Sequence, residues 1–286
     1  MQNEQKNILA KKEKKRSSTT TTYLSKINNM NKNIGILGAG NMGSAIYQSL
    51  KKITTDENLH VCDSSQEKLD ELNATHTYQN SEDMLAHVDI VILGIKPQTF
   101  HQLSIDCSEK IVISIMAGVS MESLKKTHAK KIVRTMPNLA AKVGKGVTGW
   151  IANESVTSEE KQNIQAILNT FGTSIEVQSE HMIDAITALS GSGPAYYFLL
   201  TEAIAQTAIK LGFSKEHATQ IAQGTCIGAA TLLEHDTKSA TEWKEAVTSK
   251  GGTTAAALAY FEQQNFTQTV EGAIQAAQTR STELNS

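Results

Sequence analysis

The chain is poor in the residues that staple or metallate a protein. Its 286 residues include three cysteines, Cys62, Cys107 and Cys226, which are far apart and form no Cys-x-x-Cys pair. An odd, scattered set excludes a disulfide framework and a cysteine zinc site, and it fits a reducing, cytoplasmic setting. The eight histidines stand singly with no metal-ligand spacing, so no metal is expected. No apolar run approaches the roughly 20 residues of a membrane span. Hydrophobic content of 40% and charged content of 20% are those of an ordinary globular protein, expected to have neither membrane nor nucleic acid as a partner. The length suits two domains better than one.

The first 29 residues differ from the rest. Seven basic residues (Lys6, Lys11, Lys12, Lys14, Lys15, Arg16, Lys26) stand against Glu4 and Glu13, a net +5 that leaves −7 for the remainder of the net −2. Ser17 to Thr22 is an unbroken hydroxyl run. Such a segment cannot bury enough surface to fold. It is expected to be a disordered basic extension over residues 1–29, or sequence upstream of a start at Met30. A transit peptide is the weaker reading, since Arg16 is its single arginine and no amphipathic pattern is clear.

From Asn33 short β-branched runs alternate with helical stretches. Ile34–Leu37, Leu59–Cys62, Asp89–Leu93, Ile111–Ile115 and Lys131–Arg134 read as buried strands of a parallel sheet built from βαβ units. Ile164, Ile167, Leu168 and Phe171 mark an amphipathic helix, and Thr173–Val177 returns as a strand. After Glu180 the strands stop. Pro194 is the one proline left, and Ala-rich helical patterns break only near Gly212 to Ser214, His235 to Lys238 and Gly251-Gly252. Ser214 reads as a helix N-cap, with Gly212 ending the helix before it. The expected division is a dinucleotide-binding domain over residues 30–180 and an all-helical domain over 181–286. Helices such as Glu202–Lys210 and Ala218–Leu233, apolar on more than one face, call for a partner to cover them.

Three motifs carry chemistry. Gly38-Ala39-Gly40-Asn41-Met42-Gly43 follows an apolar strand and opens a helix, the context in which GxGxxG binds a dinucleotide. Gly38 permits the tight turn, Gly40 lets a pyrophosphate approach the backbone, and Gly43 allows close helix–strand packing. Asp63, 20 residues beyond Gly43, is placed to accept from the adenosine ribose and favour NAD. Ser64, Ser65 and Lys68 just beyond it are able to donate to a 2′-phosphate, so the preference between NADH and NADPH stays open. Gly94-Ile95-Lys96-Pro97 and Met116-Ala117-Gly118 fall at the carboxyl ends of strands, the ligand-binding edge of such sheets. Lys96 reads equally as a solvated lysine or a cofactor contact. The loop Met136-Pro137-Asn138 stands in the same position. Ser190-Gly191-Ser192-Gly193-Pro194 reads as a hinge opening the first long helix rather than a catalytic group. The stretch Val247-Thr248-Ser249-Lys250-Gly251-Gly252-Thr253-Thr254, before Ala255-Ala256-Ala257-Leu258, is a Gly-Gly turn opening a helix, which is an anion site. The N–H groups of Gly251, Gly252 and Thr253 are expected to hold a carboxylate.

From Asn33 almost to the C-terminus the chain resembles the pyrroline-5-carboxylate reductase family. ALSGSGPAY and VTSKGGTTAAAL are similar to its most specific signatures, and IGILGAGNMGSAI, IKP, MAG and MPN occur in its order. The resemblance implies a Rossmann-type domain with a C-terminal helical dimerisation domain, an NADPH or NADH cofactor, and a higher ring oligomer. It implies cofactor contacts at Leu37 to Met42, Asn80, Gly94 to Pro97 and Met116 to Gly118, while Asn138 is expected at the nicotinamide pocket from the position of its loop after a strand. It places the substrate, 1-pyrroline-5-carboxylate, at Ser249, Gly251, Gly252, Thr253 and Thr254. Two departures stand out: Lys250 replaces the proline of SPGGTT, and Leu139-Ala140 replaces the Thr-Pro that often follows MPN.

The implied reaction is hydride transfer to the imine carbon of a ring that is already electrophilic, so orientation and exclusion of water suffice. Thr254 is expected to hydrogen-bond the ring nitrogen. The nearest rival, a β-hydroxyacid dehydrogenase, carries a catalytic lysine on the helix after its glycine-rich turn, and residues 193–208 contain no lysine. A rival of another class is a non-catalytic NAD(P)-sensing paralogue.

Overall fold

The structure, a computed structural model, describes residues 32–284; the basic extension lies outside the described residues. In chain order the elements are β1 (Ile34–Leu37), α1 (Asn41–Leu50), β2 (Leu59–Cys62), α2 (Gln66–Leu72), β3 (His76–Tyr78), α3 (Ser81–Leu85), β4 (Ile90–Leu93), α4 (Pro97–Gln102), β5 (Ile111–Ser114), α5 (Met121–Leu124), β6 (Lys131–Met136), β7 (Gly146–Ala152), α6 (Ser158–Leu168) and β8 (Gly172–Glu176). The rest is helical: α7 (Glu180–Ile186), α8 (Gly193–Lys210), α9 (Lys215–His235), α10 (Ala240–Ala246), α11 (Thr253–Gln263) and α12 (Phe266–Leu284).

The strands form one sheet in the order β3-β2-β1-β4-β5-β6-β7-β8. Side chains alternate between its faces. Ile34, Ile36, Ile90 and Ile92 enter one buried cluster with Tyr47, Trp150 and Phe171. Leu37, Val91 and Leu93 enter the other with Met84 and Phe100. Burial on both faces explains why these strands read as continuous apolar runs.

Two strands escaped sequence reading, and one corrects the all-parallel expectation. β3 is a three-residue edge strand, too short to show a pattern. β7 is interrupted by glycine and pairs antiparallel with β6. Only the 3-10 segment Leu139–Val143 joins β6 to β7, and a connection that short reverses the chain where a parallel crossover needs a dozen residues or more.

Two compact units result: residues 32–192 together with 277–284, and Gly193–Ala276. The division falls at Gly193 rather than at the 180/181 boundary expected, because α7 belongs to the sheet. Arg134 on β6, 3% exposed, donates from Nη1 to Glu180 at 2.7 Å and from Nη2 to Asp184 at 3.2 Å, both on α7. Ser281 near the end of α12 adds a hydrogen bond to Asp184. A buried guanidinium held by two carboxylates is costly to strip of either one.

In the helical unit α8 and α9 pack on each other through Ala208, Ala218 and Ala222, all buried. Ser214 caps α9, its hydroxyl accepting from the His217 N–H, after Gly212 at φ +99°. Little else is covered: Tyr197, Phe198, Leu199, Leu211 and Ile227 are each more than 60% exposed. Contiguous apolar surface of this kind marks an interface. The chain is therefore expected to sediment at micromolar concentration as a dimer or larger, and Tyr197→Asp with Leu199→Asp to yield monomer; a fully active native monomer contradicts this.

Candidate functional site

The strand order reverses between β1 and β4, and ligands of open α/β sheets bind outside the carboxyl ends of strands at that point. Gly38 at φ +108° lies against Gly94: a Cβ there would stand 2.7 Å from the Gly94 carbonyl oxygen. A Cβ on Gly43 would stand 1.9 Å from the Gly38 carbonyl oxygen, whereas one on Gly40 meets nothing within 4 Å. Two glycines are thus required by the protein's own packing, and the third faces open space. α1 begins there with Gly40 as N-cap, no side-chain cap and no acid in its first turn. Exposed first-turn N–H groups and an uncompensated dipole are what a pyrophosphate needs, so these residues fit a dinucleotide.

A cleft lies at this edge. Leu37, Gly38, Gly40, Asp63, Ser64, Gly94, Ile95 and Lys96 line it as anticipated, and Cys62, Lys68, Gln79, Ser81, Thr99 and Leu103 complete it. Burial pushes the Cys62 thiol up to about 11, so it forms a neutral wall. Pro97 stands at the first position of α4, and Lys96 precedes it as N-cap. Ala39, Asn41, Met42 and Gly43 follow the turn into α1 rather than lining the cleft wall.

Asp63, which lines the cleft, is also tied to the chain itself. Its Oδ2 accepts from the Ala39 N–H at 2.8 Å and its Oδ1 from the Ser65 N–H at 2.9 Å, and Lys68 Nζ lies 3.3 Å from Oδ1. Burial raises the carboxyl's pKa, but the bonds from Ser65, Ala39 and Lys68 outweigh it and leave the pKa below the ordinary value. A depressed pKa contributes stability that is present above the unfolded value near 3.8 and is lost as pH falls through the folded one. The carboxylate ties the glycine loop to the end of β2 across the neutral range, with its charge offset by Lys68.

Three other anticipated contacts are also engaged within the chain. Asn80 caps α3, its Oδ1 accepting from the Glu82 N–H; Gln79 and Ser81 beside it face the cleft. Asn138 is buried, its amide donating to the Ser190 carbonyl and its oxygen accepting from the Val147 N–H, so it rivets the β6–β7 connection. Met116 is buried in the core, and Gly118, at φ +69°, lies against Leu284. Neither Asn138 nor Met116 to Gly118 lines the cleft.

The second motif, described within the helical unit, is a tight turn. Gly251 adopts φ +73° and Gly252 donates its N–H to the Ser249 carbonyl at 3.0 Å. This corrects the expectation that the Gly252 N–H is free for a carboxylate. It also shows that the turn closes with Lys250 in the position where the resemblance expects proline, a preference rather than a requirement of such turns. A Cβ on Gly252 would meet Ser249 Oγ at 2.3 Å. α11 follows with Gly252 as N-cap, no side-chain cap and no acid in its first turn. The hydroxyls of Thr253 and Thr254 have no hydrogen-bond partner among the described residues.

Two family models match the chain: pyrroline-5-carboxylate reductase dimerisation over residues 180–284 and NADP oxidoreductase, coenzyme F420-dependent, over 33–118. A pyrroline-5-carboxylate reductase from Haemophilus influenzae is 37% identical over 265 residues, covering 88% of this chain and 97% of its own length. The chain belongs to the pyrroline-5-carboxylate reductase family. A solved member from Coxiella burnetii superposes with a TM-score of 0.84 at 34% identity, covering 89% of this chain and 99% of that one. A Plasmodium falciparum member solved with NADP bound gives 0.77 at 30% identity, over 90% and 99%. The sequence signatures and the fold therefore agree, with the reductase's dimerisation segment starting at residue 180 and the compact helical unit at Gly193.

The glycine geometry separates packing from binding. Gly40→Ala is expected to keep the melting temperature within about 1 °C while weakening NADP+ binding roughly tenfold or more, since the added carbon enters only the ligand's space; Gly43→Ala is expected to lower the melting temperature itself. Calorimetric melts and titrations check both. Asp63→Ala, by releasing the Ala39 N–H, is expected to raise the dissociation constants of NAD+ and NADP+ together; a loss confined to NAD+ would return Asp63 to the ribose.

Proposed function

We propose that this chain reduces 1-pyrroline-5-carboxylate to L-proline with NADPH or NADH, the final step of proline biosynthesis. The observation that carries the reading is the start of α11: an uncapped first turn with free Thr253 and Thr254 hydroxyls behind a positive-φ glycine, in a chain with a dinucleotide cradle at Gly40. The N–H groups of Gly251 and Thr253 hold the substrate carboxylate, aided by the helix dipole. Thr254 hydrogen-bonds the ring nitrogen, and Ser249 closes the turn beneath it. Lys250 adds a charge beside the carboxylate.

The dihydronicotinamide supplies a hydride when bound. The residues from Leu37 to Gly43 and from Gly94 to Pro97 hold that cofactor, and Thr254 orients the ring nitrogen, which ends protonated as the imine carbon gains hydrogen. No strong base is required. The lysine base of the dehydrogenase rival has no counterpart, as α8 reaches Lys210 before its first lysine. With Asp63 turned to Ala39 and offset by Lys68, both cofactors are accepted. Assembly of dimers into a ring and residence in a reducing cytoplasm belong to the same reading, supported by the uncovered apolar helices and the free cysteines.

Thr254→Ala is expected to lower kcat/KM by roughly 10-fold to 1,000-fold, the loss of one positioned polar group. Thr254→Ser is expected to recover much of it, and cofactor affinity to stay unchanged in both. Steady-state kinetics with cofactor titrations decide; near-native kcat/KM in the alanine variant would leave Thr254 as a plain helix-start residue.

A further inference from the structure

Lysines flank the dinucleotide loop on both sides, and they differ in what they meet. Lys68 is paired with Asp63. Lys142, which no motif singled out, stands on the 3-10 segment Leu139–Val143 and donates from Nζ to Asn41 Oδ1 at 3.0 Å, a contact spanning 101 residues. Asn41 is the first residue of α1, the position beside which a pyrophosphate settles.

The base of this lysine is held rigidly. Ala141 beside it is fully buried, and the backbone of Gly146 approaches so closely that a Cβ there would stand 3.0 Å from Ala141. Asn138, at the start of the same segment, is bonded at both ends of its amide. The ammonium therefore reaches Asn41 from a fixed platform. Its only hydrogen-bond partner among the described residues is that neutral amide, and it forms no ion pair there.

A lysine turned to a neutral carbonyl keeps its full charge for an anion, and a surface lysine otherwise gains nothing from being so placed. Because the Asn41 carbonyl accepts from Lys142, the Asn41 NH2 is the end left to donate outward. The start of α1 thus collects the open space at Gly40, free first-turn N–H groups, an amide donor and an uncompensated ammonium, with no acid in its first turn.

We infer that Lys142, held by Asn41, is a phosphate-contacting residue of the cofactor site, serving the pyrophosphate that NADH and NADPH share. This rests on the dinucleotide reading of the Gly38 to Gly43 loop. Lys142 supplies affinity without discriminating between the two cofactors, a role distinct from that of Lys68 near the ribose end of the cleft.

The test is calorimetric titration of the full chain with NAD+, NADP+ and ADP-ribose, at low and at moderate salt. Lys142→Gln is expected to weaken all three about tenfold and by equal factors, the scale of one hydrogen bond to a charged group, and to flatten the salt dependence. Lys142→Arg is expected to recover most of the affinity. Lys130→Gln, a lysine paired with Glu109 away from the cleft, serves as the control and is expected to bind all three as the native chain does. Unchanged ADP-ribose affinity in Lys142→Gln overturns the inference, as does a loss confined to NADP+, which would move Lys142 to the 2′-phosphate. If the native chain binds none of the three, the dinucleotide reading itself fails and this inference with it. Melting temperatures equal to native show that the variants fold.

Discussion

No carbon atom fits between Gly43 and the Gly38 carbonyl oxygen, and the cofactor cleft is organised around that contact. It lets α1 press its first turn onto the end of β1, with the open space at Gly40 left beside the helix start. Gly38 in turn presses on Gly94, bringing the loops after β1 and β4 together where the strand order reverses. Asp63 then fixes the loop from the side through the Ala39 N–H. Both its oxygens accept from the chain, which holds the glycines where a phosphate reaches them, and a carboxylate's remaining lone pairs still face the cleft it lines.

A second constraint shapes the same unit from below. Arg134 lies in a strand buried on both faces, and an ion in such a place must be paired and hydrogen-bonded. Its partners, Glu180 and Asp184, come from α7, and Ser281 from the far end of the chain adds a bond to Asp184. This requirement explains why α7 and the last turns of α12 count with the sheet rather than with the helices between them. The helical unit has the opposite character. Two of its helices carry side-chain caps, at Ser214 and at Ser239 with Glu242, yet α10 and α11 bury no residue within the chain. Local signals suffice to form each helix, and the apolar surface they share is left for self-association through the family's dimerisation segment.

Much of this was legible in the residue order. The apolar runs located β1, β2, β4, β5 and β6, because strands buried on both faces leave an unbroken hydrophobic trace, and β8, partly exposed along its length, was placed as the strand after the amphipathic helix. The three glycines of the first motif were assigned separate roles, and the space around each agrees with them. The Gly-Gly turn and its following helix were legible because the freedom to adopt φ > 0 is written locally in Gly251 and Gly252; that no hydroxyl caps the helix start was not. β3 and β7 were not, being a three-residue edge and a strand broken by glycine.

What the sequence alone determined were the properties carried by neighbours in the chain: periodicity, caps, turns and the glycine-rich loops, and through them the fold class and the family's signatures. What only the tertiary structure decided were the partners of polar side chains. Asp63 faces Ala39, Asn138 bridges Ser190 and Val147, Asn80 caps its own helix, and Lys142 meets Asn41 from 101 residues away. A hydrogen bond depends on a few tenths of an ångström and on direction, and the distance in sequence between its two ends places no limit on either.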